Sequence, residues 1–381
     1  MSAVLDSIIE RARHVRHDLH AHPELRFEEV RTAGVVRDEL ERLGIPWEPC
    51  AGTGTLARLA IGAPGSHLAF RADLDALPVE EKTGLPYASR HSGRMHACGH
   101  DGHTATLLAT AAWFKAHEAR LPGPVTLVFQ PGEEGGHGAK QMIEQGALAV
   151  VDAIYGFHNW PPIPAGRAAC VDGPIMAANG NFRALVHGRG GHASQPESCI
   201  DPILALSHFV AQVQHVVSRR VAPQRAAVVT VGAFHAGTAN NIIPDTAECI
   251  GTVRASTSEQ LLEISERCSA VLRGVCEASG AEGEWTWTPD YPATLNHPTS
   301  AERARAAVRK VLGPNALWTE GLPVMAAEDF SYFAQAIPGC YLLLGSGHPN
   351  RVLEPCHSPR FDFDDGLIPV GVRLWSEVAG L

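Results

Sequence analysis

The chemistry of this chain is most concentrated between Met95 and His103. Those nine residues hold three imidazoles (His96, His100, His103), one thiol (Cys98) and one carboxylate (Asp101), with Gly99 and Gly102 to bend the backbone. Such side chains bind transition metals, and neutral imidazole with thiolate favours zinc and its neighbours over magnesium or calcium. Polar His-rich turns also lead into helices with no metal involved, so donors elsewhere in the chain decide the matter. Asp73 and Asp75 lie two residues apart, on one face of an extended segment. Each is equally readable as a turn cap. Glu133 and Glu134 follow an apolar run and sit between Gly132 and Gly135-Gly136. Adjacent glutamates usually mark a solvated turn, but glycines at the end of a buried strand allow close backbone approach and favour a site. His158 closes another apolar run, as a core histidine or a ligand. His20, His22 and Glu24 fall on a connector, Leu19 to Leu25, where Pro23 disfavours helical geometry at His22, and read as supporting or surface groups.

These residues need elements to position them. Apolar periodicity predicts helices over Val4–Arg16, Thr32–Leu43 and His103–His117, and short strands over Leu56–Ile61, His67–Arg71, Val125–Phe129 and Ala153–Phe157. The candidate donors then lie at strand ends, where open α/β sheets build their sites. Strands and helices alternating in this way predict an α/β fold with a mixed, largely parallel sheet flanked by helices. From Phe182 to Thr288 the pattern becomes β-α-β-β-α-β, the split unit of a ferredoxin-like α+β domain. The expected organisation is a discontinuous catalytic domain, 1–178 with 296–381, interrupted by a smaller domain over 179–295.

Composition narrows the function class. The chain has 381 residues, a net charge of -10 and no Lys/Arg cluster, which argues against nucleic-acid binding. No apolar run approaches the length of a membrane span, and the first twenty residues lack a signal-peptide core, so a cytoplasmic protein is expected. Nine cysteines, an odd number, fit a reducing compartment better than a disulfide framework.

Taken in order, the motifs carry a resemblance. They are Asp18-Leu19-His20-Ala21-His22-Pro23-Glu24, Arg71-Ala72-Asp73-Leu74-Asp75-Ala76-Leu77-Pro78, His96-Ala97-Cys98-Gly99-His100-Asp101, Gln130-Pro131-Gly132-Glu133-Glu134, Gly190-Gly191-His192-Ala193, Asn241-Ile242-Ile243-Pro244, Glu328-Asp329-Phe330-Ser331 and His357-Ser358-Pro359. Over nearly its full length the chain resembles the metal-dependent amidohydrolases that include aminoacylase, carboxypeptidase G, hippurate hydrolase and auxin-conjugate hydrolases. It is most similar to the hippurate and auxin-conjugate branch. The resemblance implies two divalent metal ions, manganese or zinc, held by Cys98, His100, Glu134, His158 and His357, with Glu133 as general base. It implies a lid domain that dimerises, with His192, Asn241 and Arg254 contacting substrate and His192 reaching the partner subunit's site. Asp73 and His100 stand where wider relatives have a metal-binding His and a bridging Asp, and Cys98 is the extra ligand of this branch.

The chemistry suits amide hydrolysis. One of two unlike carboxylates takes a water proton while its neighbour stays an anion. Asp75 and Asp101 are expected to accept imidazole N–H bonds and fix tautomers. His192 can donate to an oxyanion, and Arg254 is either a fork for a substrate carboxylate or a structural ion pair. The expected reaction is hydrolysis of N-acyl amino acids, with a dipeptidase or aminopeptidase as the alternative. An intact base and five ligands argue against a non-catalytic metal-binding scaffold.

Overall fold

The computed structural model describes residues 3–349 and 352–381. The chain forms two compact units, one of residues 1–175, 295–321 and 329–381, the other of 176–294 and 322–328.

The first unit is built on an eight-stranded sheet. Its first strands are β1 (Trp47–Cys50), β2 (Gly54–Leu59), β3 (Leu68–Asp73), β4 (Val125–Gln130) and β5 (Ala153–Pro164). The spatial order is β1-β2-β4-β3-β5, then Gly339–Gly347, Ala168–Ala169 and Leu317–Trp318. The central strands β4, β3, β5 and Gly339–Gly347 are mutually parallel, and β1, β2 and the Ala168–Ala169 contact supply antiparallel pairs. The sheet is mixed, as expected. Every residue of β3 and β4 is buried, which is why both read as continuous apolar runs without alternation. Helices α1 (Ala3–Ala21), α2 (Val30–Arg42) and α3 (His100–Ala116) belong to this unit. An aromatic cluster of Phe70, Phe114, Tyr155 and Trp375 anchors its core.

Three boundaries differ from the sequence reading in ways that matter. The first helix runs to Ala21, so His20 sits in its last turn and is fully buried, not on an open connector. Pro23 does stop the helix, but the helix ends five residues later than the apolar pattern did. Helix α3 begins at His100, three residues before the expected start, so His100 is held by regular structure. Strand β5 continues to Pro164, which puts His158 inside a strand, paired with Leu343, and not at its end.

In the second unit the elements run Ala178–His187, Pro202–Arg220, Ala227–Ala236, Thr246–Ala255, Ser258–Ser279 and Glu282–Pro289. The four strands are antiparallel, with the first and third at the centre. This is the β-α-β-β-α-β order expected of a ferredoxin-like unit. Asp201 caps the first helix by accepting from the Ile203 and Leu204 N–H groups, and Thr257 caps the second through Gln260 N–H. Phe182, Phe209 and Trp285 stack within a separate core. No helix among the described residues is long and apolar enough to cross a membrane, and all nine cysteines are free thiols.

Candidate active site

The turn before α3 sets the first donors. Gly99 has φ 96°, and a Cβ there would meet Asn159 Oδ1 at 2.2 Å. Only glycine fits that turn, which carries Cys98 on one side and His100 on the other. Cys98 Sγ lies 3.2 Å from His158 Nε2, while His158 Nδ1 lies 2.7 Å from the Asn159 carbonyl oxygen. The ring is thus fixed with Nδ1–H donating to that carbonyl and Nε2 free to act as a ligand.

The glutamate pair comes from the turn after β4. Gly132, at φ 59°, bends the chain into the single turn Glu133–Gly136. Asp75 accepts both backbone N–H groups, from Glu133 at 3.0 Å and Glu134 at 2.9 Å. One carboxylate therefore fixes the backbone of both glutamates, and its Oδ1 also lies 3.3 Å from His100 Nδ1. Glu133 is buried, and its Oε1 accepts from Asp329 N–H at 3.3 Å. Glu134 Oε1 lies 3.1 Å from His357 Nε2. His357 is a loop residue at φ 71°, and its backbone N–H donates to the Ala97 carbonyl at 2.7 Å.

Three overlapping donor groups result, Cys98/His100/His158, Cys98/Glu134/His357 and His100/Glu133/Glu134, each with ligand atoms within 4.8 Å of one another. Asp73/His100/His103 is a further such group. The residues fit a cation by their hydrogen bonding. Both ring nitrogens of the fully buried His100, and Glu134 Oε1, make no hydrogen bond of proper geometry despite the nearby carboxylates and the imidazole. Buried polar atoms left so are rare and call for a ligand.

Electrostatics point the same way. Burial opposes charge on His100, but Asp73, Asp75 and Glu134 overcome it and raise the imidazole to about 10. That field suits a positive ion. Burial and the neighbouring His103 hold His158 well below the usual imidazole range, so it is neutral, the form that ligates. The Cys356 thiol, then burial and the Glu134 and Glu133 carboxylates, push the Cys98 thiol up, so it ionises only with a cation alongside.

Beneath these groups lies a buried network that the sequence did not disclose. Arg71 donates to Gln130 Oε1 at 2.7 Å, Asp73 Oδ2 at 2.8 Å and Asp329 Oδ1 at 3.1 Å. Asp329 also accepts from Ala139 N–H at 3.0 Å. His103 spans Asp73 Oδ1 and Asn159 Oδ1, each at 2.7 Å. The signal available was the repeated pairing of Arg71 with Asp73 in one strand and a lone Asp329 before an aromatic. Neither names its partner.

Asp101 accepts an imidazole N–H as expected, but that of His20 and not that of a candidate ligand. It accepts from His20 Nδ1 at 2.9 Å and Arg16 Nη1 at 3.3 Å, and makes no hydrogen bond to the imidazole of any proposed ligand among the described residues. Beginning α3 at His100 turns the next residue toward α1. Asp75 alone of the two approaches a candidate ligand.

In the second unit, His192 and Asn241 are brought together. Gly191–His192 pairs with Ile242–Ile243, and the Ala193 N–H donates to the Asn241 carbonyl at 3.1 Å. Both residues are exposed. His192 Nδ1 accepts from Ser194 N–H at 3.1 Å and lies 2.7 Å from Ser194 Oγ, which leaves Nε2–H as a donor. Arg254 donates to the Met325 carbonyl at 2.7 Å and pairs with no carboxylate among the described residues, which disfavours the structural ion pair.

A mixed α/β unit that gathers His, Cys and Glu donors beside a buried carboxylate defines a metal-dependent hydrolase. The chain belongs to Peptidase family M20/M25/M40, whose sequence profile matches residues 69–380. It is similar to N-acetylcysteine deacetylase of Bacillus subtilis (strain 168), 38% identical over 367 residues that cover 96% of this chain and 95% of that one. It is 39% identical over 370 residues to IAA-amino acid hydrolase ILR1-like 2 of Arabidopsis thaliana, covering 96% and 83%. Among solved structures, a dinuclear metal binding peptidase from the M20 family of Bacillus subtilis superposes with a TM-score of 0.85 at 34% identity, covering 98% of both chains.

Proposed function

We propose that the protein hydrolyses the amide bond of N-acyl amino acids, releasing a carboxylic acid and a free amino acid. The reading is carried by one observation: the Glu133-Glu134 pair is fixed by Asp75 among three overlapping donor groups, two of which share Cys98. The names of the two curated relatives, a deacetylase of an N-acyl amino acid and an amino acid conjugate hydrolase, support this substrate class.

Cys98, His100, Glu134, His158 and His357 would hold two divalent ions, manganese or zinc. Such ions polarise an amide carbonyl and make water nucleophilic near neutrality. Glu133 takes the proton of the attacking water and hands it to the departing nitrogen. Its backbone is fixed by Asp75, and its Oε1 by the Asp329 N–H, so the carboxylate is oriented before substrate arrives. His192 donates through Nε2 to the developing oxyanion, Asn241 assists, and Arg254 forks onto the substrate carboxylate. His192 acts in the partner subunit's site within a cytoplasmic homodimer formed through the second unit.

Glu133→Gln is expected to lower kcat by about 10²–10⁴-fold at unchanged metal content, assayed on N-acetyl and N-benzoyl amino acids with manganese or zinc. Wild-type turnover by that variant removes Glu133 as the base. Cleavage of free dipeptides in preference to their N-blocked forms replaces the substrate class with that of a peptidase. A fully active monomer by sedimentation removes the role of His192 across subunits.

A further inference from the structure

Beside the donor cluster, Cys356 is a second thiol with no part in the reaction above. Cys356 precedes His357, and the His357 N–H···O=C Ala97 bond of 2.7 Å makes residues 98 and 356 the flanks of a single backbone contact. Both sulfurs pack on the dipeptide His158-Asn159. Cys98 Sγ touches the His158 ring at 3.2 Å, while Cys356 Sγ receives the Asn159 side-chain N–H at 3.7 Å and approaches the Asn159 carbonyl at 4.0 Å. The neighbouring Cys356 thiol is also the foremost influence pushing the Cys98 thiol up. Cys356 is half-buried and reachable from solvent, whereas Cys98 is 7% exposed.

We propose that Cys98 and Cys356 form a peroxide-sensitive dithiol whose oxidation closes a disulfide across the donor cluster. The accessible Cys356 reacts first. Its sulfur displaces one oxygen of a hydroperoxide, giving a sulfenic acid and an alcohol or water. The Cys98 sulfur then attacks that sulfenic sulfur. The S–S bond forms, the S–O bond breaks, and the hydroxyl leaves as water with the second thiol proton. One peroxide is reduced, and two thiols are oxidised. Access distinguishes this pair from Cys170 and Cys340, whose sulfurs are 3.4 Å apart but which are 3% and 0% exposed within the core.

A consequence follows for metal binding, and it rests on the reading of Cys98 as a ligand. A disulfide sulfur is no thiolate, so the oxidised protein loses the donor common to two of the groups.

The test uses the full chain, metal-loaded and metal-stripped, treated with hydrogen peroxide. Free thiols are counted after denaturation, and non-reducing peptides are mapped by mass spectrometry. The expected result is the loss of two of the nine thiols, a linked peptide pair carrying Cys98 and Cys356, and full recovery with dithiothreitol. Cys356→Ser should give no such link and no dithiothreitol-reversible thiol loss. A map showing Cys356 unchanged, over-oxidised, or joined to another cysteine overturns the proposal. Metal should slow the cross-link and be released when it forms. A link that forms equally fast with and without metal, and releases none, leaves the dithiol standing and removes Cys98 from the ligand set.

Discussion

The five candidate donors divide into two regions by burial. Cys98, His100 and His158 are 7%, 0% and 4% exposed, and two of the three belong to a helix or the middle of a strand. The side chains of Glu134 and His357 are 19% and 55% exposed and come from a turn and a loop. The buried set is preorganised by the sheet and α3 and costs little to arrange when an ion arrives. The outer set is closed by loop contacts, chiefly His357 with Ala97 and Glu134 with Asp75. Two ions bound by this arrangement should therefore differ in affinity, with Cys98 felt by both. Proteins that need a tight ion and an adjustable one can obtain both from one cluster in this way.

The sharpest way to break that comparison is to remove the shared donor. Cys98→Ala should reduce bound metal from about two ions to none after dialysis, since the sulfur belongs to two donor groups; elemental analysis reads this directly, and retention of both ions would abolish the distinction. Removing the outer donor should do less. His357→Ala is expected to keep about one ion per chain and to leave the thermal unfolding of the stripped protein unchanged, because the ring stands in solvent. Asp75→Asn tests the groups that hold both regions in register. Activity or metal affinity should fall about 10- to 100-fold, with the fold intact by circular dichroism.

The smallest effect concerns the support of α3 from α1. His20 is buried, which opposes its charge, yet Asp101 and Glu81 raise it to about 9, against the lowering influence of Arg16. Tyr87 and His96 pack on the same ring. A raised imidazole stabilises the folded state fully below the unfolded value, about 6.5, and that contribution is lost as pH climbs through about 9. The urea midpoint of the parent should therefore drop between roughly pH 6 and pH 9.5, and that of His20→Gln should vary less over the same interval. Equal slopes in the two proteins would show that another group governs the range.

Much of this was legible in the sequence, for reasons that differ by residue. β3 and β4 announced themselves because both faces are buried, and the first helix of the second unit because one of its faces is apolar. The glutamate pair was readable from the glycines that bend its turn. The role of Asp101 was not, because it depends on where α3 begins, and a start at His100 carries no side-chain cap to mark it. Nor was the partnership of Arg71 with Asp329. Residues 258 positions apart meet only through the strand order, and no local pattern encodes that order. His158 inside β5 was misplaced because His158 and Asn159 end the apolar run without ending the strand.

The strand order also has a consequence for biosynthesis. Gly339–Gly347 is inserted beside β5 in the interior of the sheet, and His357 follows it. Both are translated after the whole of residues 176–294. A nascent chain that has emitted Cys98, His100, Glu133, Glu134 and His158 but not His357 carries an open sheet edge and an incomplete donor set. Hydrolytic competence must therefore arise late, after the second unit has left the ribosome and had time to fold. Until then β5 presents an unpaired edge, a ready template for pairing with another chain.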